Sequence, residues 1–256
     1  MPNNHDKKSQ INILITEFLE YCEIEKNHSQ KTIQNYDHYL KRFTAWAKIQ
    51  EPEQITLNLI RKYRLYLNRL TDDKGNNLKK ITQNYHIIAV RAFLKYLSKR
   101  DVKTLAAEKI ELPKIPERSI DFLEEEELER LFSTPDTSTA KGLRDKAILE
   151  TLFSTGMRVS ELISVNRNQL SHNKGELTIR GKGDKPRVVF ISSEAKKWLE
   201  LYLKKRHDNC SALFISHPKG KESKEDPSNP DFRRLTSRSI QRIINKYAKT
   251  AGITKK

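Results

Sequence analysis

The sequence predicts a mainly α-helical chain with one small antiparallel β-sheet, arranged as two domains. Three observations carry this expectation. Apolar residues recur at helical spacing in four stretches of the first hundred residues. Two short apolar runs in the second half flank Gly181-Lys182-Gly183-Asp184-Lys185-Pro186, the composition of a hairpin turn. Between them, periodicity fades over a stretch of mixed charge holding Pro113 and Pro116. The expected boundaries are a helical domain at 1–103, a linker at 104–118 and a mixed domain at 119–256.

In the first domain, Ile11, Leu14, Ile15, Phe18 and Leu19 fall at i, i+3, i+4, i+7 and i+8, one buried helical face. Ser29 is a suitable N-cap for a second helix with Ile33, Tyr36, Leu40, Phe43 and Ala47 inward. Thr56 caps a third, with Leu59, Tyr63, Leu67 and Leu70 inward. A polar turn at 72–77 precedes a fourth through Tyr85, Ile88, Val90, Phe93, Leu94 and Leu97. Four helices joined by short turns make a small bundle.

In the second domain, helices are expected at 124–133, 143–154 and 158–165, and strands at 177–180 and 187–191. A helix capped by Ser193 then buries Ala195, Trp198, Leu199, Tyr202 and Leu203. A strand-like run at 212–215 and a polar loop to about Pro230 lead to a last helix with Ile240, Ile243, Ile244, Tyr247 and Ala248 on one face, stopped by Gly252.

The formal net charge is +16. Lys and Arg outnumber Asp and Glu by 18 to 10 in residues 1–100 and by 31 to 23 in the remainder, so each part carries +8. An excess shared by both parts, rather than confined to a tail, fits a polyanion running past both, and points to nucleic acid. No stretch approaches the roughly 18 consecutive apolar residues of a membrane span, and residues 1–10 lack the apolar core of a secretory signal. Cys22 and Cys210 are far apart and outside any metal or redox spacing, which suits a reducing cytoplasm.

Two segments stand out chemically. Residues 144–162 read as two helices joined at Ser154-Thr155-Gly156, with Arg158 in the first turn of the second, flanked by apolar Met157 and Val159. Such a guanidinium lies near the core and needs an anionic partner, and Glu161 shares its face. A plain surface ion pair has the same spacing. In the hairpin, glycines beside Lys182 allow close approach to a ligand, and Lys182, Lys185 and Arg187 gather three cations at one tip. An ordinary charged hairpin has that composition too. No phosphate-binding loop of the Walker type is present.

Together, Ser154-Thr155-Gly156-Met157-Arg158-Val159-Ser160-Glu161-Leu162 and Gly181-Lys182-Gly183-Asp184-Lys185-Pro186-Arg187, whose Lys182 lies 24 positions after Arg158, resemble the tyrosine recombinase (phage integrase) family, closest in style to Xer-type enzymes. The bundle, with Thr32, Tyr36, Leu40, Phe43 and Trp46, is similar to that family's SAM-like core-binding domain. The resemblance implies an α+β catalytic domain after it. It further implies double-stranded DNA as partner, a tetramer of like or related subunits on it, and no membrane.

In that family a tyrosine hydroxyl attacks a DNA phosphodiester, giving a 3′-phosphotyrosine and a free 5′-hydroxyl. The bond energy is kept for religation, so no metal, nucleotide or other cofactor is required. By motif match Arg158 braces the non-bridging oxygens, Lys182 protonates the leaving 5′-oxygen, and Glu161 supports the arginine. Lys185 is the nearest rival for the acid, but its place after Gly183 and Asp184 better matches a phosphate-side cation; Arg187 and, on the bundle, Lys41, Arg42, Arg91 and Lys95 are candidate DNA contacts.

The sequence also departs from the pattern. The family uses a later His-x-x-Arg and a nucleophilic tyrosine, yet no histidine of this sequence is followed three residues on by arginine. The tyrosines after Lys182 are Tyr202 and Tyr247, both on apolar stripes that suit a core. The catalytic domain therefore reads as incomplete and C-terminally truncated, unable to cleave alone. Its last helix is expected to leave Ile240, Ile244 and Tyr247 partly exposed, with low stability or aggregation of residues 119–256. The alternative function is a non-catalytic DNA-binding module or inhibitor that occupies recombination sites.

Overall fold

The computed structural model describes residues 9–72, 75–113, 121–170, 175–181, 183, 185–217, 229 and 231–255. Lys182 and Asp184 of the hairpin, and most of the polar loop before Pro230, lie outside the described residues. The chain divides into two compact units, Met1–Arg118 and Ser119–Lys256. The expected fold class is borne out: helices dominate, and the strands form one two-stranded antiparallel sheet among the described residues. No helix among those residues is long and apolar enough to cross a membrane.

The first unit contains α1 (Gln10–Ile24), α2 (Gln30–Ala47), α3 (Leu57–Arg69) and α4 (Lys80–Ser98). Ser29 Oγ accepts the Thr32 N–H (3.3 Å) and Thr56 Oγ1 the Leu59 N–H (3.2 Å), satisfying amide groups that an uncapped helix leaves orphaned. α2 and α4 pack on one another, and α1 and α3 each lie against both. The core they enclose includes Phe18, Phe43, Tyr63, Phe93 and Leu94. Each large apolar side chain buried this way contributes roughly 1.5–3 kcal/mol. Between α3 and α4, the Asp72 carboxylate accepts the Asn76 N–H (2.8 Å) and Gly75 adopts φ +76°, a left-handed conformation that glycine enters without strain.

Two details of the bundle correct the sequence reading. Tyr85 faces solvent and Ile88 is only half-buried, while Asn84, His86 and Ile87 are inside. α4 is surrounded by the other three helices, so it is apolar on most sides and its periodicity does not fix its phase. Arg91, expected as a DNA contact on the bundle surface, is half-buried, and so is Arg64. Arg91 Nε donates to the Ala107 carbonyl (3.1 Å), and Arg64 donates to that of Glu111. Both tie down residues 105–112, whose Ala107 and Ile110 are buried in the bundle core.

His86 gives this unit an acid-sensitive point. It is fully buried, and its Nδ1 meets the Tyr63 hydroxyl at 3.1 Å. Burial, with help from Arg42 and His38, lowers its pKa from 6.5 to about 4. Below pH 6.5 the unfolded chain takes up a proton that the folded chain refuses, so stability falls as pH drops from 6.5 toward 4. The slope is about 1.4 kcal/mol per pH unit for one such group. Urea unfolding monitored across this range should show the decline, and a His86→Leu variant should flatten it.

The second unit contains α5 (Glu125–Ser133), α6 (Ala140–Thr155), α7 (Val159–Ser164), β1 (Glu176–Arg180), β2 (Pro186–Phe190), α8 (Ser193–Lys204) and α9 (Ser237–Thr250). β1 and β2 pair antiparallel with Thr178 opposite Val188 and Ile179 opposite Arg187. α6 is the central helix, with every residue from 142 to 151 buried, and it packs chiefly on α8. The cap of α8 is Ser192, whose Oγ accepts the Ala195 N–H (3.2 Å), rather than Ser193; adjacent serines left the sequence reading one residue late. Residues 212–215 are buried, but they make isolated bridges to Asn166 and Arg234 rather than a regular strand.

The expectation that α9 would leave its apolar stripe partly exposed holds at Ile244 and is corrected at Ile240 and Tyr247. Ile240 and Tyr247 are buried and Ile244 is half-buried. Ile240 enters the main core with Leu162 and Phe214, while Tyr247 packs with Leu131 and Leu149 under Ile253. The chain after α9 and the helix α5 thus cover the stripe.

Candidate functional site

α6 ends at Gly156, which takes φ +59° and donates its N–H to the Leu152 carbonyl (3.0 Å). This left-handed cap reverses the chain, seats Met157 in the core, and leaves Arg158 as the N-cap of α7. One turn into α7, Glu161 is buried. Its Oε2 accepts the Arg158 backbone N–H (2.7 Å) and its Oε1 accepts Arg158 Nη1 (3.0 Å). The same Oε2 accepts Arg187 Nη2 (2.8 Å), which arrives from β2. Two arginines 29 positions apart in sequence thus converge on one carboxylate.

The geometry differs from the sequence reading in one respect. The buried charge is Glu161, while the Arg158 and Arg187 side chains are 64% and 45% exposed. Glu161 stays ionised well below the usual carboxylate range, because the Arg158 N–H bonds it and both guanidinium groups face it, against the cost of its burial. Each guanidinium has five N–H donors, so one bond to Glu161 fixes its direction and leaves the others for a second anion. Gly181 lies against the carboxylate: a Cβ there would sit 3.5 Å from Glu161 Oε1. The Gly181 N–H bonds the Lys185 carbonyl (3.0 Å), closing the hairpin at this point. Lys185 is exposed, and Lys182 lies outside the described residues.

Sequence reasoning placed Arg187 with the hairpin-tip cations and missed its bond to Glu161. The signal was there: along β2, Arg187 and buried Val189 are two apart and share the inward face. It also gave no role to Arg144, Asp145 or Arg234. Asp145 Oδ1 accepts Arg144 Nε (2.8 Å) and Nη2 (2.6 Å), and its Oδ2 accepts the Tyr247 hydroxyl (2.9 Å). Arg144 Nη1 donates to the Ile215 carbonyl (2.9 Å), so one buried network joins α6, α9 and the segment at 215. Arg234 donates to the Ile163 carbonyl (2.6 Å) and to Asn166 Oδ1 (2.5 Å), fixing the end of α7 and hence the platform under Arg158.

The remaining candidates lie in the first unit. Lys41 is exposed and paired with Asp37 (2.8 Å), Arg42 is half-buried, Lys95 is exposed, and Arg91 is engaged with the Ala107 carbonyl as described. Of the four, Lys41 and Lys95 are the most available to an incoming phosphate.

A helical bundle followed by an α+β unit in which two half-exposed arginines meet on one buried carboxylate defines the class: a basic protein of two compact units. Comparison with known proteins gives the particular family. The phage integrase family model matches residues 121–256, and that of the phage integrase N-terminal SAM-like domain matches residues 15–101. The tyrosine recombinase XerC of Bacillus subtilis (strain 168) is 31% identical over 238 residues, covering 93% of this chain and 76% of the relative. XerC of Bacillus pumilus (strain SAFR-032) is 34% identical over 250 residues, covering 94% and 77%. The chain belongs to the phage integrase family of tyrosine recombinases. The fold is shared with lambda integrase (residues 75–356), solved as a dimer bound to a COC′ core site, with a TM-score of 0.67 at 15% identity over 95% of this chain and 82% of that one. It is shared also with the XerH recombinase bound to difH substrate after cleavage, with a TM-score of 0.63 at 18% identity over 94% and 69%.

Proposed function

We propose that this chain is a site-specific recombinase subunit that binds duplex DNA and grips the scissile phosphate with Arg158 and Lys182, Arg187 assisting. The observation that carries this reading is the convergence of Arg158 and Arg187 on buried Glu161, at the base of the hairpin that bears Lys182. Arg158 and Arg187 stabilise charge building on the non-bridging oxygens as the tyrosine hydroxyl attacks phosphorus. Lys182 gives its proton to the departing 5′-oxygen. Because Glu161 fixes the guanidinium directions beforehand, little reorganisation is needed when the charge develops.

The nucleophile is neither Tyr202 nor Tyr247. Tyr202 is fully buried and its hydroxyl accepts the Ile215 N–H (3.3 Å). Tyr247 is buried, donates to Asp145, and has its pKa pushed up by burial and that bond, which is the wrong direction for an attacking phenolate. Lambda integrase is described as a dimer on a core site and as a tetramer on a Holliday junction, and we infer a like assembly of this chain on DNA. Two buried free cysteines suit the reducing cytoplasm where that DNA lies. The family relationship favours this reading over a non-catalytic occupant of recombination sites.

Fluorescence anisotropy on labelled duplexes tests DNA binding. The logarithm of affinity should fall linearly with the logarithm of salt, whereas flat binding would remove the basis of the proposal. Incubation with a nicked suicide duplex should yield no covalent adduct of this polypeptide alone. An adduct mapping to Tyr202 or Tyr247 would refute the assignment of those residues to the core.

A further inference from the structure

In the first unit, the end of α1, the turn after it and the last turns of α4 line a cleft of about 300 Å³ that the phosphate chemistry leaves unused. Its walls are aromatic. Phe18 and Tyr21 come from α1, Tyr36 from α2 and Tyr96 from α4. Phe18 stacks on Tyr36 at 5.7 Å and tilts on Tyr96 at 5.4 Å between ring centroids, and both Phe18 and Tyr96 are buried, so packing holds these rings in place. The rim is cationic. Lys26 stands 5.4 Å from the centre of the Tyr21 ring, and Lys95 and Lys99 lie one helical turn apart; all three are exposed. None of them has an ion pair among the described residues, in a unit where Lys41 and Arg100 each have one. Among the described residues the lining contains no aspartate or glutamate, and burial pushes the Cys22 thiol up to about 11, so it stays neutral. Two polar atoms of lining residues, Tyr96 Oη and His28 Nδ1, are buried with no hydrogen-bond partner among the described residues.

We propose that this cleft binds a small planar aromatic anion, one or two fused rings carrying a carboxylate or a phosphate. The ring lies among Phe18, Tyr21, Tyr36 and Tyr96, where offset and edge-on aromatic contacts favour it. The acid group meets Lys26, Lys95 and Lys99 at the rim. A ring edge bearing nitrogen or oxygen supplies, after a slight turn of either side chain, the partner that Tyr96 Oη and His28 Nδ1 lack. Size narrows the occupant: the volume is at the lower end of small-molecule sites, and a helix of about 10–12 Å diameter does not enter it. Duplex DNA offers phosphates to the lysines but keeps its bases stacked, and drawing one out is costly. Solvation alone accounts for exposed lysines but not for a cleft walled by aromatic rings beneath them.

Binding here needs no DNA, so titration calorimetry of the full chain alone tests it. The probes are indole-3-carboxylate and adenosine 5′-monophosphate, with indole, adenosine and inorganic phosphate as their separate parts. At least one of the two acids should bind saturably, one per chain, and at least about tenfold more tightly than its parts, because ring and acid group are held together. Which acid binds tells a carboxylate ligand from a phosphate one. K26Q/K99Q should weaken that acid about fivefold and leave the neutral ring unchanged. Ala92→Phe, which fills the cleft from half-buried Ala92 on α4, should abolish binding of both. Circular dichroism checks that the variants melt like the parent; if Ala92→Phe melts early, K26Q/K99Q decides, since both lysines are exposed. Inorganic phosphate binding as tightly as the acid overturns the proposal, reducing it to bulk attraction to a chain of net charge +16. An acid whose affinity is untouched by K26Q/K99Q overturns it too. So does a chain that binds neither acid, and if Ala92→Phe then weakens affinity for a duplex, the cleft is a DNA surface.

Discussion

Replacing Asp145 with alanine is expected to cost the second unit roughly 3–5 kcal/mol of folding free energy, the range for breaking a buried ion pair by removing one partner. Arg144 and Asp145 are almost wholly buried, and the carboxylate accepts two guanidinium bonds and the Tyr247 hydroxyl. Without it the Arg144 charge stays in the interior with the Ile215 carbonyl as its remaining hydrogen-bond partner among the described residues, and the Tyr247 hydroxyl loses its acceptor. Tyr247→Phe removes one neutral donor to that carboxylate and should cost about 1.5–3 kcal/mol, the value of a hydrogen bond to a charged group. Urea unfolding followed by circular dichroism compares the two directly. A loss for Asp145→Ala no larger than that for Tyr247→Phe would mean the network does not hold α9 against α6. Exchanging Arg144 and Asp145 together for apolar residues of similar volume should recover much of the loss, since the pair's attraction is largely offset by its desolvation.

Arg158→Ala is expected to weaken binding to a cognate duplex by roughly 1.5–3 kcal/mol at low salt, the value of a hydrogen bond to a charged group. The slope of log affinity against log salt should also fall by about one unit, because one phosphate contact is lost. Glu161→Gln sets two effects against each other. Net charge rises by one, which favours any polyanion, yet the brace on both arginines weakens. If preorganisation governs, discrimination between cognate and random duplex falls while affinity for random duplex holds or rises. If bulk charge governs, both affinities rise together. Competition anisotropy distinguishes the outcomes, and a joint rise would remove Glu161 from the site.

Much of this was legible in the residues because local signals and burial agree. The bundle follows from apolar periodicity with Ser29 and Thr56 at caps, and the hairpin from two short apolar runs around glycines. Arg158 and Glu161 are three apart, so a helix start alone brings them together. What escaped was of another kind. α4 and α6 are enclosed on most sides, so Tyr85 was given an inward place it does not have, and Asp145 was given no role. The Asp145–Tyr247 bond joins residues 102 positions apart and leaves no local trace. Arg187 could have been placed by its two-residue spacing from Val189, had strand alternation been weighed above the cluster of cations at the tip.

The central claim is that Arg158 and Lys182 act on one phosphate, and duplexes carrying a single neutral methylphosphonate test it most directly. Affinities of the parent chain, Arg158→Ala and Lys182→Ala are measured with the substitution at each backbone position in turn, as double-mutant cycles. The penalties of both alanine variants should vanish at one shared position and persist at all others. Penalties that vanish at two different positions, or at none, would show that the guanidinium and the ammonium do not meet on the same phosphate.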